Sequence, residues 1–157
     1  MNVLFRSHHS SAELFIYCGH GTGDKLCDTY KFRKWEVPAA MLWGCSSGRL
    51  SMQGVHDPSG AVLNYLVGGA PFVVANLWDV TDRDIDRLSV DCMKRVFDSA
   101  AENNINSSAQ APNNHNSPSN SNSLGSAVAA ARTVCKLKNA VGSAAVLYGL
   151  PASLTST

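Results

Sequence analysis

Leu14-Phe15-Ile16-Tyr17-Cys18-Gly19-His20-Gly21 and Ala39-Ala40-Met41-Leu42-Trp43-Gly44-Cys45-Ser46-Ser47 decide how this chain folds. Each is a short apolar run that ends in glycine, and a side chain able to do chemistry follows at once. Apolar runs of this length bounded by glycine read as buried strands, and the glycine lets the backbone turn sharply at the sheet edge. The crevice of an α/β sheet lies beyond the carboxyl ends of its strands, so His20 and Cys45 are expected to face one crevice. A thiol attacks as thiolate, and a nearby imidazole that accepts its proton or stabilises the anion meets that need.

The segments that follow set the architecture. Ser59 reads as the N-cap of a short crossover helix over Ala61-Val62-Leu63-Asn64-Tyr65-Leu66-Val67, which stops at Gly68-Gly69, and residues 46–58 read as a polar loop. Pro71-Phe72-Val73-Val74-Ala75-Asn76-Leu77-Trp78-Asp79-Val80 is apolar on both faces, as a strand inside a mostly parallel sheet is. Thr81-Asp82-Arg83-Asp84 has capping-box spacing, and Ile85, Leu88, Cys92, Met93, Val96 and Phe97 then fall on one helix face. Further on, Leu124, Val128, Ala131 and Cys135 share helical spacing, with Asn139 as an αL cap, and Ala144-Ala145-Val146-Leu147-Tyr148 reads as a fourth strand before Gly149. Strands alternating with helices imply a three-layer α/β/α sandwich around a mostly parallel sheet.

Two tracts stand apart. Residues 1–11 are polar and carry no periodicity, so they read as a flexible lead-in to a domain spanning 12–154. From Asn103 to Ser123, eight asparagines and six serines fill 14 of 21 positions around Pro112 and Pro118. So little apolar surface cannot offset the entropy of ordering, and the tract reads as a disordered insertion. Thr22 to Trp35 reads as a loop with one short helical or extended piece.

Composition narrows the function classes. The 157 residues are 45% hydrophobic, enough for one core but not two. With 13 basic and 12 acidic residues the net charge is +1, so no strong field points to nucleic acid or to an anionic membrane. Five cysteines, Cys18, Cys27, Cys45, Cys92 and Cys135, make an odd set without C-x-x-C pairs, and no signal-peptide h-region follows Met1. A reducing compartment, cytoplasm or nucleus, fits that pattern. No apolar run reaches the length of a membrane span.

Competing readings of the motifs are weaker. Gly19-His20-Gly21-Thr22-Gly23 has part of a dinucleotide fingerprint, but Asp24 stands where the last glycine belongs. Cys18, His20, Cys27 and Cys45 match no zinc spacing, and Cys18 is expected on the opposite side of its strand from its neighbours, so no metal or other cofactor is expected. A lone strand-end cysteine or histidine is usually structural; two, each flanked by glycine, tilt toward chemistry. Asp82 and Asp84 have an ordinary role beside a helix N-terminus, whereas Asp86 lies beyond the first turn and lacks that explanation.

Four stretches in succession, Tyr17-Cys18-Gly19-His20-Gly21-Thr22-Gly23, Leu42-Trp43-Gly44-Cys45-Ser46-Ser47-Gly48, the run from Asn76 to Arg87, and Tyr148-Gly149-Leu150-Pro151, resemble in order and spacing the motifs of the separase protease domain. The resemblance covers about residues 14–98 and 124–154, and it marks the chain as a partial copy of a much larger protein. It implies a caspase-like fold and a cysteine endopeptidase with a His/Cys dyad: His20 as general acid/base, Cys45 as nucleophile, and the N–H groups of Gly21 and Cys45 as oxyanion hole. It also implies cleavage after arginine in the kleisin subunit of cohesin, releasing sister chromatids in mitosis and meiosis, and inhibition by a securin-like partner. A buried arginine side chain requires a carboxylate. By motif position Asp86 is the first choice for that partner, Asp82 and Asp79 come second, and Trp78 is expected to wall the pocket. Where relatives often carry alanine between Gly21 and Gly23, this chain has Thr22. The rival readings are an inactive or truncated binding module, another caspase-like peptidase, and a non-peptidase thiol enzyme such as an acyltransferase.

Overall fold

A computed structural model of the chain describes residues 14–23, 28–34, 36–107 and 123–150, with backbone alone for 99–107. The lead-in, Asp24, Cys27, Trp35 and most of the Asn/Ser tract lie outside the described residues. Among them, β1 (Leu14–Tyr17), β2 (Ala39–Leu42), β5 (Phe72–Asn76) and β6 (Ala145–Gly149) form one sheet in the order β1-β2-β5-β6. β1, β2 and β5 are parallel, and β6 runs antiparallel to β5.

Side chains alternate across the sheet, and both faces are covered. Ala40, Leu42, Val73 and Ala75 point to one face, where α1 (Ala61–Val67) and a 3₁₀ helix (Thr29–Lys34) supply Val62, Tyr65 and Phe32. Met41, Trp43, Phe72 and Val74 point to the other, against Leu88, Cys92 and Val96 of α2 (Asp82–Ser107) and Leu124 and Val128 of α3 (Leu124–Ala131). Burying an aliphatic side chain as fully as Leu42 or Leu88 contributes about 2 kcal/mol. This is the three-layer α/β/α sandwich with a mostly parallel sheet that the alternation of strands and helices implied.

Several details depart from the sequence reading, among them the third strand, which ends at Asn76 and not at Val80. Residues 51–59 form an antiparallel hairpin, β3 (Ser51–Gln53) with β4 (His56–Ser59), rather than a polar loop. Ser59 therefore belongs to a strand, and the N-cap of α1 is Gly60, where a Cβ would stand 2.6 Å from the Arg49 carbonyl oxygen. α3 ends at Ala131 in a 3₁₀ turn, Arg132–Val134, and Asn139 takes no αL cap: Ser46 is the one described non-glycine residue with positive φ. α2 continues to Ser107, into the Asn-rich tract.

The fourth strand is antiparallel because two helices, not one, precede it. α2 leaves the carboxyl end of β5 and α3 brings the chain back, so β6 re-enters the sheet with Ala145 beside Asn76. Asp84 closes this helical hairpin. Its carboxylate does not reach back to Thr81 as a capping box would; it accepts the N–H groups of Leu137 (2.9 Å) and Lys136 (3.1 Å) and pairs with Arg87 at 3.2 Å. Although Asp84 is only 3% exposed, the Leu137 amide first, then the Lys136 amide and Arg87, hold its carboxyl below the usual carboxylate range against the opposing push of burial.

A pKa lowered by folding adds stability above the unfolded value, and that stability is lost as pH falls through the folded value. Asp84→Asn is therefore expected to lower the unfolding midpoint at neutral pH, with the gap to the parent closing as pH is taken below about 4. Thermal unfolding of both proteins across pH checks this; a gap independent of pH would mean that the charge of Asp84 is not what stabilises.

Candidate functional site

β1 and β2 pair in parallel from Leu14↔Ala39 to Tyr17↔Leu42, and the Trp43 N–H continues the ladder to the Tyr17 carbonyl at 2.9 Å. His20 lies three residues beyond Tyr17, and Cys45 three residues beyond Leu42, so the same edge of adjacent strands carries both. Glycines make that proximity physically possible. A Cβ on Gly44 would stand 1.9 Å from the Gly21 carbonyl oxygen and 2.9 Å from that of Gly19, so the two strand ends touch backbone to backbone. Gly21 itself has φ +65°, the left-handed turn that takes the chain past the exposed His20. Beneath it the buried Tyr17 hydroxyl donates to the His20 carbonyl at 2.9 Å.

The turn after β2 is held from the β5 side. Asn76, fully buried, donates from Nδ2 to the Gly44 carbonyl at 3.1 Å. Ser47 donates to the Leu42 carbonyl and accepts the Asn76 N–H, while the Gly48 N–H donates to the Asn76 carbonyl and Tyr148 caps the Gly48 carbonyl. Cys45 is half-buried, and its thiol donates to the Val80 carbonyl at 3.2 Å. The N–H groups of Gly21 and Cys45 have no hydrogen-bond partner among the described residues. Two amide donors at the ends of adjacent strands, one of them on the cysteine, are what an oxyanion site requires.

The acids of the β5–α2 corner divide by partner. Asp79 accepts the Ser46 hydroxyl at 2.6 Å, and Asp84 turns inward to the α3–β6 connection. Asp82 is exposed in the first turn of α2, and Asp86, one turn on, is also exposed. The negative charge of Asp86 reaches the end of β1: partial burial raises the pKa of the Cys18 thiol, and Asp86 raises it further. Trp78 is 41% exposed, and its indole N–H donates to the Ala140 carbonyl, which fixes the ring at the corner.

Ser46, Ser47 and Asn76 are the residues that the sequence reading missed. The signal was present as two serines directly after the Gly-Cys pair and an asparagine ending an otherwise apolar strand; a polar side chain in such a place is hydrogen-bonded or costly. The other thiols sit differently. Cys92 is in the core, where burial pushes it up to about 11, and burial likewise raises Cys135. Among the described residues no three His, Cys, Asp or Glu side chains group to hold a metal ion, and no helix is long and apolar enough to cross a membrane.

Comparison with known proteins fits this arrangement. The separin from Saccharomyces cerevisiae is 35% identical over 147 residues, covering 93% of this chain and 8% of that protein. The separin of Schizosaccharomyces pombe is 38% identical over 146 residues, 91% of this chain and 7% of its own length, and that of Mus musculus 35% over 143 residues, 90% and 6%. The chain thus spans less than a tenth of the curated relatives it matches. In three dimensions it superposes on separase in a crystal structure of the Saccharomyces cerevisiae separase–securin complex with a TM-score of 0.73 and 34% identity, over 91% of this chain and 8% of that one. The family model described as separin, protease domain, matches residues 4–85, the stretch that holds both strand-end motifs and most of the β5–α2 corner. With that match the chain, caspase-like in fold, belongs to the separin protease-domain family.

Proposed function

We propose that this chain carries the active site of a separase-type cysteine endopeptidase that cleaves after arginine in the kleisin subunit of cohesin. Family membership supports a cysteine endopeptidase in general. The observation that carries the finer reading is the placement of His20 and Cys45 three residues past the last registered pair of neighbouring parallel strands, with two amides beside them that have no partner among the described residues.

In this reading His20 takes the Cys45 proton, and the thiolate attacks the scissile carbonyl. The Gly21 and Cys45 N–H groups receive the oxyanion, His20 protonates the leaving amine, and a water that His20 activates hydrolyses the acyl-enzyme. Arginine at P1 meets the carboxylate of Asp86 at the mouth between β1 and α2. Asp82, one turn before it on the same side, adds negative charge there, and the exposed ring of Trp78 forms a wall. The solved relative was crystallised with securin, which supports an inhibitory partner of that kind for the protein carrying this chain. The free thiols suit a reducing compartment, cytoplasm and nucleus.

The test is labelling of the protein by irreversible thiol-reactive peptides with arginine or leucine at P1, mapped by mass spectrometry. The arginine probe is expected to modify Cys45 selectively over Cys18 and the buried Cys92 and Cys135. Asp86→Ala is expected to slow that labelling at least about tenfold, the usual effect of losing a hydrogen bond to a charged group, while labelling by iodoacetamide is unchanged. Equal labelling by both peptides, or no modification of Cys45, would sink the proposal.

A further inference from the structure

Ser46, the residue after Cys45, holds its backbone at φ 53°. A residue with a Cβ is disfavoured in that left-handed region and persists there only where its surroundings over-determine it. The surroundings here are three consecutive residues of the β5–α2 corner. The Ser46 N–H donates to the Trp78 carbonyl at 3.1 Å, the Ser46 hydroxyl donates to Asp79 Oδ1 at 2.6 Å, and the Cys45 thiol donates to the Val80 carbonyl at 3.2 Å. The corner is itself anchored, because the Leu77 N–H donates to the Ala144 carbonyl and the Trp78 indole to the Ala140 carbonyl. It therefore acts as a fixed surface against which the Cys45 turn is pressed.

We infer that Asp79 is a positioning residue: by accepting the Ser46 hydroxyl it locks the left-handed turn that fixes Cys45 Sγ and the Cys45 N–H. The inference rests on Cys45 being the nucleophile, as proposed above. It makes Asp79 a poorer candidate for P1 arginine, since Oδ1 is held by the Ser46 hydroxyl at 2.6 Å and is not open to a bidentate guanidinium pair. The two roles make different demands. A partner for P1 arginine needs the negative charge; a clamp on Ser46 needs only an acceptor oxygen, which an amide also supplies.

Asp79→Ala frees Ser46 to relax toward right-handed backbone and displaces the nucleophile. The expected result is a fall in kcat of about tenfold to a hundredfold, the range from loss of one such bond to a misplacement on the order of 1 Å, with KM for an arginine peptide little changed. Ser46→Ala should do the same, and the double variant should be no worse than either, because both remove one contact. Asp79→Asn should keep most of kcat and the full preference for arginine over leucine.

Steady-state cleavage of P1-arginine and P1-leucine peptides by the intact protein and these variants, with unfolding midpoints recorded alongside, decides the matter. If the parent cleaves but Asp79→Ala retains its kcat, or Asp79→Asn loses the arginine preference, the clamp is wrong while the protease reading stands. If Ser46→Ala and Asp79→Ala are additive, the clamp is likewise wrong. If the parent shows no cleavage that depends on Cys45, both fall together.

Discussion

Gly44→Ala is expected to abolish the proposed cleavage and to lower the unfolding midpoint by roughly 10 °C. The reason is the contact at the strand ends. The added methyl would stand 1.9 Å from the Gly21 carbonyl oxygen and 2.9 Å from both the Gly21 carbonyl carbon and the Gly19 carbonyl oxygen, all backbone atoms that cannot rotate away. Relief requires the ends of β1 and β2 to part, which carries His20 away from Cys45 and strains the Asn76 contact to the Gly44 carbonyl. Overpacking a buried site costs about 1–3 kcal/mol, and here the upper end applies because no side chain can give way. For a chain of this size about 3 kcal/mol corresponds to that shift in midpoint. Gly125→Ala is the control. Its Cβ would meet side chains only at 3.9 Å, inside α3, so it should leave cleavage unchanged and stabilise by about 0.5–1 kcal/mol. Thermal denaturation and peptide cleavage of both variants check the argument, and a Gly44→Ala protein with parental midpoint and activity would refute it.

The strands that build the crevice could be read from the sequence because burial on both faces leaves uninterrupted apolar runs, and glycine marks where each one ends. The 51–59 hairpin could not. Every residue from Ser51 to Pro58 is exposed, with Val55 wholly so, and a strand without a buried face has no alternation to detect. The direction of β6, by contrast, was within reach: two helices were legible between the third and fourth strands, and a pair of helices returns the chain to the sheet end it left, so the next strand runs antiparallel. The lock on those helices joins Asp84 to amides 52 and 53 residues away. Local spacing makes Asp84 a capping-box residue and an acid in the first turn of a helix, and reaches no further along the chain.

The acids of the corner show the same limit and one missed opportunity. Their number was plain, but partners such as Ser46 for Asp79 come from a loop 33 residues earlier in the chain. Helical geometry alone, however, separates three of them. At 100° per residue Asp82 and Asp86 share a side of α2, and Asp84 lies nearly opposite, so its inward turn could have been drawn from spacing. The structure adds that Asp86 is the one whose charge is felt at Cys18.

Cys45→Ala is expected to remove cleavage by at least about a thousandfold, and His20→Ala by about a hundredfold to ten-thousandfold, the usual range for loss of a general acid/base. Neither change should unfold the protein. Cys45 gives up one hydrogen bond to Val80 from a half-buried position, and the His20 side chain is exposed, its backbone being held by Tyr17. The double variant should be no slower than Cys45→Ala alone, because an imidazole without a thiol has nothing to activate. His20→Ala should also slow alkylation of Cys45 by iodoacetamide at neutral pH, since no imidazole is then beside the sulfur to take its proton as it attacks. Alkylation adds a readout that needs no peptide in the crevice, so it separates activation of the thiol from recognition of substrate. Unchanged alkylation together with lost cleavage would place His20 in leaving-group protonation alone, and unchanged cleavage in either single variant would remove the dyad altogether.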